Sequence, residues 1–270
     1  MNQERSVMNM PRICLVMICL VMTVAGCQTR QPDDTGNAVK IILIGSSHMN
    51  FNDLAGMLRS ICSDRNRDVL IQTSLRNGLS LSGHTRYFYT ADKLKEEKWD
   101  YVILQGGNGR IAYPDEDPMN PLFPALEKLK AMILDNHSAT TIVFWMAWAY
   151  EDGNTFYGGS DGYPEMQQKI FDNTIDYADK LDFVIAPVGW AWQTVLAEKN
   201  YPLHYLHMDD WSHPNIKGSY LMACVIYSSL FRERITGMSY RSELSETDAN
   251  YFQTIASDTV LNDLERWNLL

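Results

Sequence analysis

The 270-residue sequence has few cysteines, no excess of basic charge and no repeated or low-complexity segment. Two of its five cysteines, Cys14 and Cys19, lie in an apolar N-terminal run, so a disulfide framework is not expected. Acidic residues outnumber basic ones by 33 to 23, which argues against a nucleic-acid partner. With 46% hydrophobic residues and no linker-like stretch, the chain is instead typical of one large globular domain.

The first 26 residues have the features of a secretory signal. Arg5 and Arg12 precede an apolar run, ICLVMICLVMTVAG, that is too short for a membrane-spanning helix. The run ends in small residues directly before Cys27, and this V-A-G-C sequence resembles the lipobox of bacterial lipoproteins, in which the cysteine is acylated. The resemblance implies export to the cell envelope and a membrane anchor on Cys27. An ordinary signal peptide cut near the same place is the alternative.

The residues after Cys27 are polar and show no apolar periodicity up to residue 38. We therefore interpret residues 27–38 as a tether and residues 39–270 as a single domain. Loss of residues 1–26 removes two arginines and one glutamate, which changes the net charge from −10 to −11. Such an acidic body predicts membrane attachment through lipid rather than through a basic patch. Cys62 and Cys224 remain in apolar helical patterns, which favours two buried thiols over a disulfide.

Five short apolar runs predict buried strands. They are VKIILIG (39–45), DVLIQTS (68–74), WDYVILQG (99–106), TTIVFWMAW (140–148) and DFVIAPVG (182–189). Apolar residues at helical spacing occupy residues 51–62, 122–133 and 220–231. Strands that alternate with helices need crossover connections, so we expect an α/β fold: a three-layer α/β/α sandwich with a five-stranded parallel sheet.

Polar residues directly follow three of these strands, and another polar segment follows the fifth strand later in the chain. The segments are GSSHMN (45–50), RNGLS (76–80), QGGNG (105–109) and DDWSHPNIKGSY (209–220). In a sheet of this kind, functional groups gather at the carboxyl ends of the strands. Ser47, Gly78, Asn108, Asp210 and His213 are therefore expected to meet at one edge.

This order of serine, glycine, asparagine and D-x-x-H resembles the SGNH hydrolases, also called GDSL-like esterases and lipases, over most of residues 39–232. The resemblance implies their flavodoxin-like fold and a serine esterase activity that needs no cofactor or metal. By position it implies a catalytic triad of Ser47, Asp210 and His213, and an oxyanion hole formed by Ser47, Gly78 and Asn108. The D-x-x-H pair is the strongest match.

Three positions depart from the family pattern. Ser46 stands where an aspartate is usual, His48 where leucine is common, and Gly109 where the G-x-N-D block has its aspartate. These departures indicate a divergent branch, for which substrates of better-matching relatives are a poor guide.

The residue types also suit acyl transfer on physical grounds. A serine hydroxyl is a weak nucleophile until an imidazole accepts its proton, and that imidazole needs an acid to hold its tautomer. The oxyanion formed on attack needs donors, which the backbone N–H groups of Ser47 and Gly78 and the amide of Asn108 can supply. Separately, a serine suits a helix start and a glycine suits a turn, so only their joint occurrence favours function.

A metal site is the competing interpretation of the histidine-rich segment. Suitable ligand types occur within ten residues, namely His204, His207, Asp209, Asp210 and His213. However, the sequence has no H-E-x-x-H motif and no second cluster of ligands. We therefore expect no catalytic metal. His48, His84 and His137 fit no ligand scheme.

Aromatic residues near the predicted strand ends are the remaining clue to the substrate. Trp148, Tyr150, Trp190, Trp192 and Trp211 either border the site or pack in the core. The glycine-rich segment YEDGNTFYGGSDGYPE (150–165) is either a loop over a pocket or an irregular linker.

The interpretation that combines these features is a lipid-anchored serine esterase that removes O-acetyl groups from a small-molecule or glycan ester. Two alternatives stay open at this point. One is a lipase or lysophospholipase, for which a longer apolar lid is expected. The other is a carbohydrate-binding lipoprotein without catalysis on a degenerate hydrolase fold.

Overall fold

The computed structural model describes residues 38–114, 119, 121–155 and 158–270. The predicted signal, Cys27 and the tether apart from Ala38 lie outside these residues, so lipidation and export stay predictions. Among the described helices, none has the length and apolar character that crossing a bilayer requires.

The centre of the fold is one sheet of five parallel strands in the order β2-β1-β3-β4-β5. Their bounds are β1 Val39–Gly45, β2 Val69–Leu75, β3 Tyr101–Gln105, β4 Thr141–Trp145 and β5 Val184–Ala186. Residues 41–44 of β1 and 102–104 of β3 are completely buried, because helices cover both faces of these strands. The predicted five-stranded parallel sheet is confirmed.

The helices form the two outer layers. They are α1 Ser47–Asn50, α2 Leu54–Asp64, α3 Leu81–His84, α4 Phe88–Glu96, α5 Asn108–Ala112, α6 Leu122–Asn136, α7 Tyr163–Leu181, α8 Val188–Glu198, α9 Ile216–Phe231 and α10 Glu246–Leu261, with a 3₁₀ turn at Phe51–Asp53. Helices α2, α9 and α10 pack against one another on one side of the sheet, and α4, α6 and α7 on the other. This arrangement confirms the predicted α/β/α sandwich, and its strand order is that of flavodoxin-like folds.

Three strands are shorter than predicted. β3 spans Tyr101–Gln105 within the predicted 99–106. After Trp145 the chain leaves the sheet, and residues 146–149 are all buried outside it, although 146–148 were predicted as strand. β5 ends at Ala186, because Pro187 has no N–H to donate and α8 begins at Val188.

Cys62 on α2 and Cys224 on α9 are both buried and unpaired, as predicted. Burial raises the pKa of the Cys62 thiol to about 12 and also raises that of Cys224. Both thiols are therefore protonated at neutral pH and act as small apolar side chains of the core.

Candidate active site

Ser47 lies at the carboxyl end of β1 as the first residue of α1. The turn that presents it is fixed by Gln105 at the end of β3. Gln105 Oε1 accepts hydrogen bonds from the Ser46 backbone N–H at 2.7 Å and from the Ser46 hydroxyl at 3.1 Å. A side chain at Gly45 would place its Cβ 2.6 Å from the same oxygen. Glycine at position 45 is therefore required for this close approach of the two strand ends.

A continuous hydrogen-bond chain joins Ser47, His213 and Asp210. Nε2 of His213 lies 2.7 Å from Ser47 Oγ, and Nδ1 lies 2.5 Å from Asp210 Oδ2. Asp210 Oδ1 accepts the backbone N–H groups of Ser212 and His213 at 3.1 and 2.9 Å. Partial burial opposes ionisation of Asp210, but the hydrogen bonds from His213 and Ser212 outweigh it and lower the pKa of the carboxyl. An anionic Asp210 can hold the proton on Nδ1 of His213, which leaves Nε2 to accept the proton of Ser47.

The loop 204–215, which carries Asp210 and His213, is anchored by Asn215. Its Nδ2 donates to the backbone carbonyls of His204, Tyr205 and His207, which lie earlier in the loop, at distances of 3.0 to 3.1 Å. Its Oδ1 accepts from the backbone N–H groups of Lys217 and Gly218 and so caps α9. Pro214 lies directly before this cap and pairs with His207 in an isolated β-bridge.

Two side chains from other elements also hold this loop. Trp148 Nε1 donates to the carbonyl of Ser212 at 3.0 Å. Asn52 Nδ2 donates to the carbonyl of Pro214 and to Ser219 Oγ, both at 2.9 Å. Asn52 has φ of 55°, in the left-handed region that asparagine tolerates better than most residues. The turn after Ser47 and the loop around His213 are thereby fixed to each other.

Ser47 and His213 line a cavity of about 750 Å³ at the carboxyl edge of the sheet. Gly78 and Asn108 line the same cavity, so the structure brings all four of these predicted residues together. Gly78 has φ of +74°, which favours glycine. Asn108 is 1% exposed, and neither atom of its amide has a hydrogen-bond partner among the described residues. A buried amide without a partner is unfavourable, so this side chain is well suited to receive a ligand atom.

The rest of the cavity lining combines polar side chains and glycines with two tyrosine rings and one leucine. Among the described lining residues there is no carboxylate, and Leu79 is the one aliphatic side chain, although the whole chain is acidic. Arg110 supplies a positive charge, and Tyr113 supplies an aromatic ring. Tyr150, Asn154, Gly158 and Gly159, from the segment interpreted as a loop over a pocket, line the cavity as well.

His48, which the sequence left open as either a pocket-lining or a surface residue, lines the catalytic cavity. Its Nε2 lies 3.1 Å from Ser212 Oγ, and its ring stacks on His213 with centroids 4.6 Å apart. Burial, with a smaller effect of the neighbouring His213, lowers the pKa of His48 to about 3. The one available signal was its position next to Ser47, where the family pattern has leucine.

The tryptophans do not form the aromatic rim that we considered. Trp148 and Trp192 are completely buried and stack at 4.0 Å with an interplanar angle of 5°. Trp148 instead contacts two residues of the site: it donates a hydrogen bond to the carbonyl of Ser212, and its ring makes an edge contact with the ring of His48. Trp190 is half-buried against Phe171. Tyr150 alone of the five aromatic candidates lines the cavity, and Trp211 is 38% exposed in the loop.

The side chains of the histidine-rich segment make contacts with carboxylates and a backbone carbonyl. His204 Nδ1 lies 2.7 Å from Glu151 Oε2, His207 Nε2 donates to the carbonyl of Ala149, and His213 is paired with Asp210. Within the part of the chain that the structure covers, no three His, Cys, Asp or Glu side chains are arranged to hold a metal ion.

Comparisons with known proteins support the fold. No family model matches the chain, and no curated protein matches it. Among solved structures, a DUF4886 family protein from Bacteroides uniformis is 18% identical, with a TM-score of 0.67 over 83% of this chain and 95% of that one. A protein assigned as an SGNH hydrolase from Slackia heliotrinireducens is 20% identical, with a TM-score of 0.59 over 72% and 100%. An acetyl xylan esterase is 12% identical, with a TM-score of 0.55 over 72% and 100%. At these identities the similarity is one of fold.

Proposed function

We propose that this chain, which has the SGNH hydrolase fold, is a serine esterase that removes O-acetyl groups from carbohydrate. The observation that carries the proposal is the hydrogen-bond chain from Asp210 through His213 to Ser47, at the wall of a cavity that also holds the unpartnered amide of Asn108. The fold alone supports no particular activity, since one fold carries many functions.

The proposed mechanism begins with attack of Ser47 Oγ on the ester carbonyl carbon while His213 Nε2 accepts the hydroxyl proton. Asp210 stabilises the imidazolium that results. The tetrahedral oxyanion accepts hydrogen bonds from the Ser47 and Gly78 backbone N–H groups and from Asn108 Nδ2. Collapse expels the alcohol, which takes the proton from His213, and leaves an acyl group on Ser47. Water then attacks this acyl-enzyme as His213 accepts its proton, the carboxylic acid leaves, and Ser47 regains its proton.

The preference for a short acyl group rests on the cavity lining. A long acyl chain needs contiguous apolar surface, and Leu79 is the single aliphatic side chain among the described lining residues. Hydroxyl, amide and guanidinium groups instead match the polar surface of a sugar. This favours a carbohydrate ester over the lipase alternative. The acetyl xylan esterase fold is consistent with the assignment but does not establish it.

The first test is hydrolysis of p-nitrophenyl acetate, butyrate and octanoate by the purified full-length protein. We expect acetate to be preferred, and Ser47→Ala to lower kcat by a factor of at least roughly 10³. The matched control is Ser60→Ala, because Ser60 lies on α2 and its hydroxyl donates to the carbonyl of Gly56 within that helix. Activity that survives in Ser47→Ala would exclude Ser47 as the nucleophile and overturn the proposed mechanism. No activity in the wild type would overturn the esterase proposal and favour the binding-protein alternative.

A further inference from the structure

A second cavity, here called the side cavity, lies beside the catalytic one. It has a volume of about 270 Å³, and apolar residues of α1, α2 and β2 line it together with polar and aromatic ones, namely Asn50, Asp53, Arg59, Gln72, Thr73, Tyr89 and Lys93. Because Asn50 and Ser47 are the two ends of the four-residue helix α1, the side cavity begins about 4.5 Å along that helix from the nucleophile. Asn50 Nδ2 donates to Asn77 Oδ1 at 3.0 Å, and Asn77 precedes Gly78 of the catalytic cavity. This bond links a residue that lines the side cavity to the residue directly before Gly78 of the catalytic cavity.

The polar side chains of the side cavity are held in place before any ligand arrives. Lys93 Nζ donates to Gln72 Oε1 at 3.1 Å and to Glu96 Oε2 at 2.8 Å, and it lies 5.6 Å from the centre of the Tyr89 ring. Arg59 Nη1 donates to the backbone carbonyl of Ile71 at 3.2 Å. Asp53 Oδ1 accepts the backbone N–H of Gly56 at 3.0 Å. Each of these groups has further donor or acceptor positions, and together they offer both kinds within one small space. Such a mixture suits a ligand with several hydroxyl groups, because each hydroxyl both donates and accepts.

An exposed aromatic surface borders the side cavity. Tyr89 lines it and is 40% exposed, and the adjacent Phe88 is 72% exposed. Both rings contact Tyr87, with centroid distances of 5.9 and 5.5 Å. Exposed aromatic side chains grouped in this way indicate a binding surface. The apolar C–H face of a sugar ring packs on an aromatic face, while the hydroxyls at its edge reach polar groups nearby.

We propose that the side cavity binds a neighbouring sugar unit of the glycan whose acetyl group is removed at Ser47, with Tyr89 as its stacking platform. This inference rests on the proposed esterase function and adds a subsite to it. It predicts that the enzyme distinguishes an acetylated oligosaccharide from an acetylated monosaccharide.

The test compares chemically O-acetylated oligomers of xylose, glucose and mannose, one to six units long, with p-nitrophenyl acetate as a substrate that is too small to reach the side cavity. For at least one sugar, we expect kcat/KM to rise with chain length. In Tyr89→Ala, kcat/KM for the longer oligomers should be about three- to tenfold lower than in the wild type, mainly because KM increases. Hydrolysis of p-nitrophenyl acetate should be unchanged. Tyr89→Phe, which retains the ring, should behave as the wild type.

Tyr201→Ala is the matched control, because Tyr201 has nearly the same exposure, 43%, and lines neither cavity. Loss of p-nitrophenyl acetate hydrolysis in Ser47→Ala, with length dependence in the wild type that Tyr89→Ala removes, supports both proposals. If the small ester is hydrolysed but no oligomer series depends on length, or the dependence persists in Tyr89→Ala, the subsite is wrong and the esterase proposal stands. If the wild type hydrolyses neither the small ester nor any oligomer, both proposals fail.

Discussion

At the scale of single residues, the imidazole of His213 is held between two rings. The ring of His48 lies 4.6 Å from it at an angle of 25°, and the ring of Phe51 lies 4.5 Å from it at an angle of 32°. Both rings belong to the segment directly after Ser47. Because burial keeps His48 neutral at pH 5 and above, it adds no charge to repel the imidazolium that forms on His213 during turnover.

This arrangement predicts that His48 is a positioning residue, and two substitutions separate its contacts. His48→Phe keeps a flat ring against His213 and loses the hydrogen bond to Ser212, whereas His48→Gln keeps a polar group for Ser212 and loses the ring. We expect His48→Phe to retain kcat within a few-fold. His48→Gln should lose roughly 10- to 100-fold in kcat with KM little changed, because small displacements of a catalytic group are costly.

The measurement is kcat and KM for p-nitrophenyl acetate in both variants, with unfolding midpoints recorded as a check on stability. A loss in His48→Phe with activity retained in His48→Gln would contradict this prediction and would argue that the hydrogen bond to Ser212, and not the ring contact, is what matters. A change in stability without a change in kcat would leave His48 with a purely structural role.

The stacking of His48 and Phe51 on His213 was not predictable from the sequence, whereas the candidate triad was. Ser47, Asp210 and His213 carry chemically distinctive groups in short segments at expected strand ends. The importance of His48, Gln105 and Asn52 depends on which strands and loops are neighbours, and separations of 59 to 164 residues along the chain hide those contacts.

At the scale of elements, the position of the loop 204–215 depends on its connection to α9. The side chain of Asn215 makes two sets of hydrogen bonds. Its Oδ1 accepts from the first backbone N–H groups of α9, and its Nδ2 donates to three backbone carbonyls of the loop. His213 lies only two residues earlier. The geometry of the hydrogen-bond chain is therefore set largely by one amide at a helix start.

Asn215→Asp and Asn215→Ala test this dependence. Asp keeps the acceptor that caps α9 but loses the Nδ2 donor and places a negative charge beside the carbonyls, so kcat should fall about tenfold or more. Asn215→Ala removes both the cap of α9 and the hydrogen bonds to the loop carbonyls. It should therefore also lower the free energy of unfolding by roughly 2 kcal/mol or more. Urea unfolding and kcat measured on the same samples separate the two effects. If Asn215→Asp keeps full activity, the carbonyl contacts do not position His213.

Element boundaries were predicted best where burial and periodicity agree. β1 was predicted to the residue, because Gly45 and the polar residues after it interrupt the apolar run. β4 was predicted too long because residues 146–149 are as apolar as a strand, although they form an irregular buried segment that supports the site. Hydrophobic pattern reports burial, and it cannot by itself distinguish a buried strand from buried irregular backbone.

At the scale of the whole molecule, the layered α/β/α arrangement followed from the alternation of strands and helices, and it places all the candidate chemistry at one edge. Ser47 follows β1 and Asn108 follows β3, so they lie on either side of the point where the strand order reverses. Ligand sites in such sheets occur at that crevice. The substrate could not be inferred in the same way, because the lining of both cavities comes from segments that are distant in the sequence and come together only in the folded chain.

Buried neutral histidines give the whole molecule a pH-dependent stability. His207 is 1% exposed, and burial lowers its pKa to about 4 despite its hydrogen bond to the carbonyl of Ala149. The nearest carboxylate, on Glu151, lies 3.9 Å from His207 Nδ1, and His204 lies on the other side of that carboxylate. Burial also lowers the pKa of His84, whose Nε2 donates to the carbonyl of Gly45.

Some histidines have a lower pKa in the folded state than in the unfolded state, where it is about 6.5. Such a histidine makes its full contribution to stability when the pH is above the unfolded-state pKa. The contribution decreases as the pH falls from that pKa towards the folded-state pKa. We therefore expect the free energy of unfolding to decrease between pH 6.5 and pH 4, by about 2 kcal/mol at pH 4.5 from His207 alone. His207→Gln retains a donor for the carbonyl of Ala149 and cannot titrate, so this part of the decrease should disappear. Urea unfolding of wild type and variant at pH 7.0 and 4.5 measures the difference. An equal decrease in both proteins would mean that His207 is not the group that takes up the proton on unfolding.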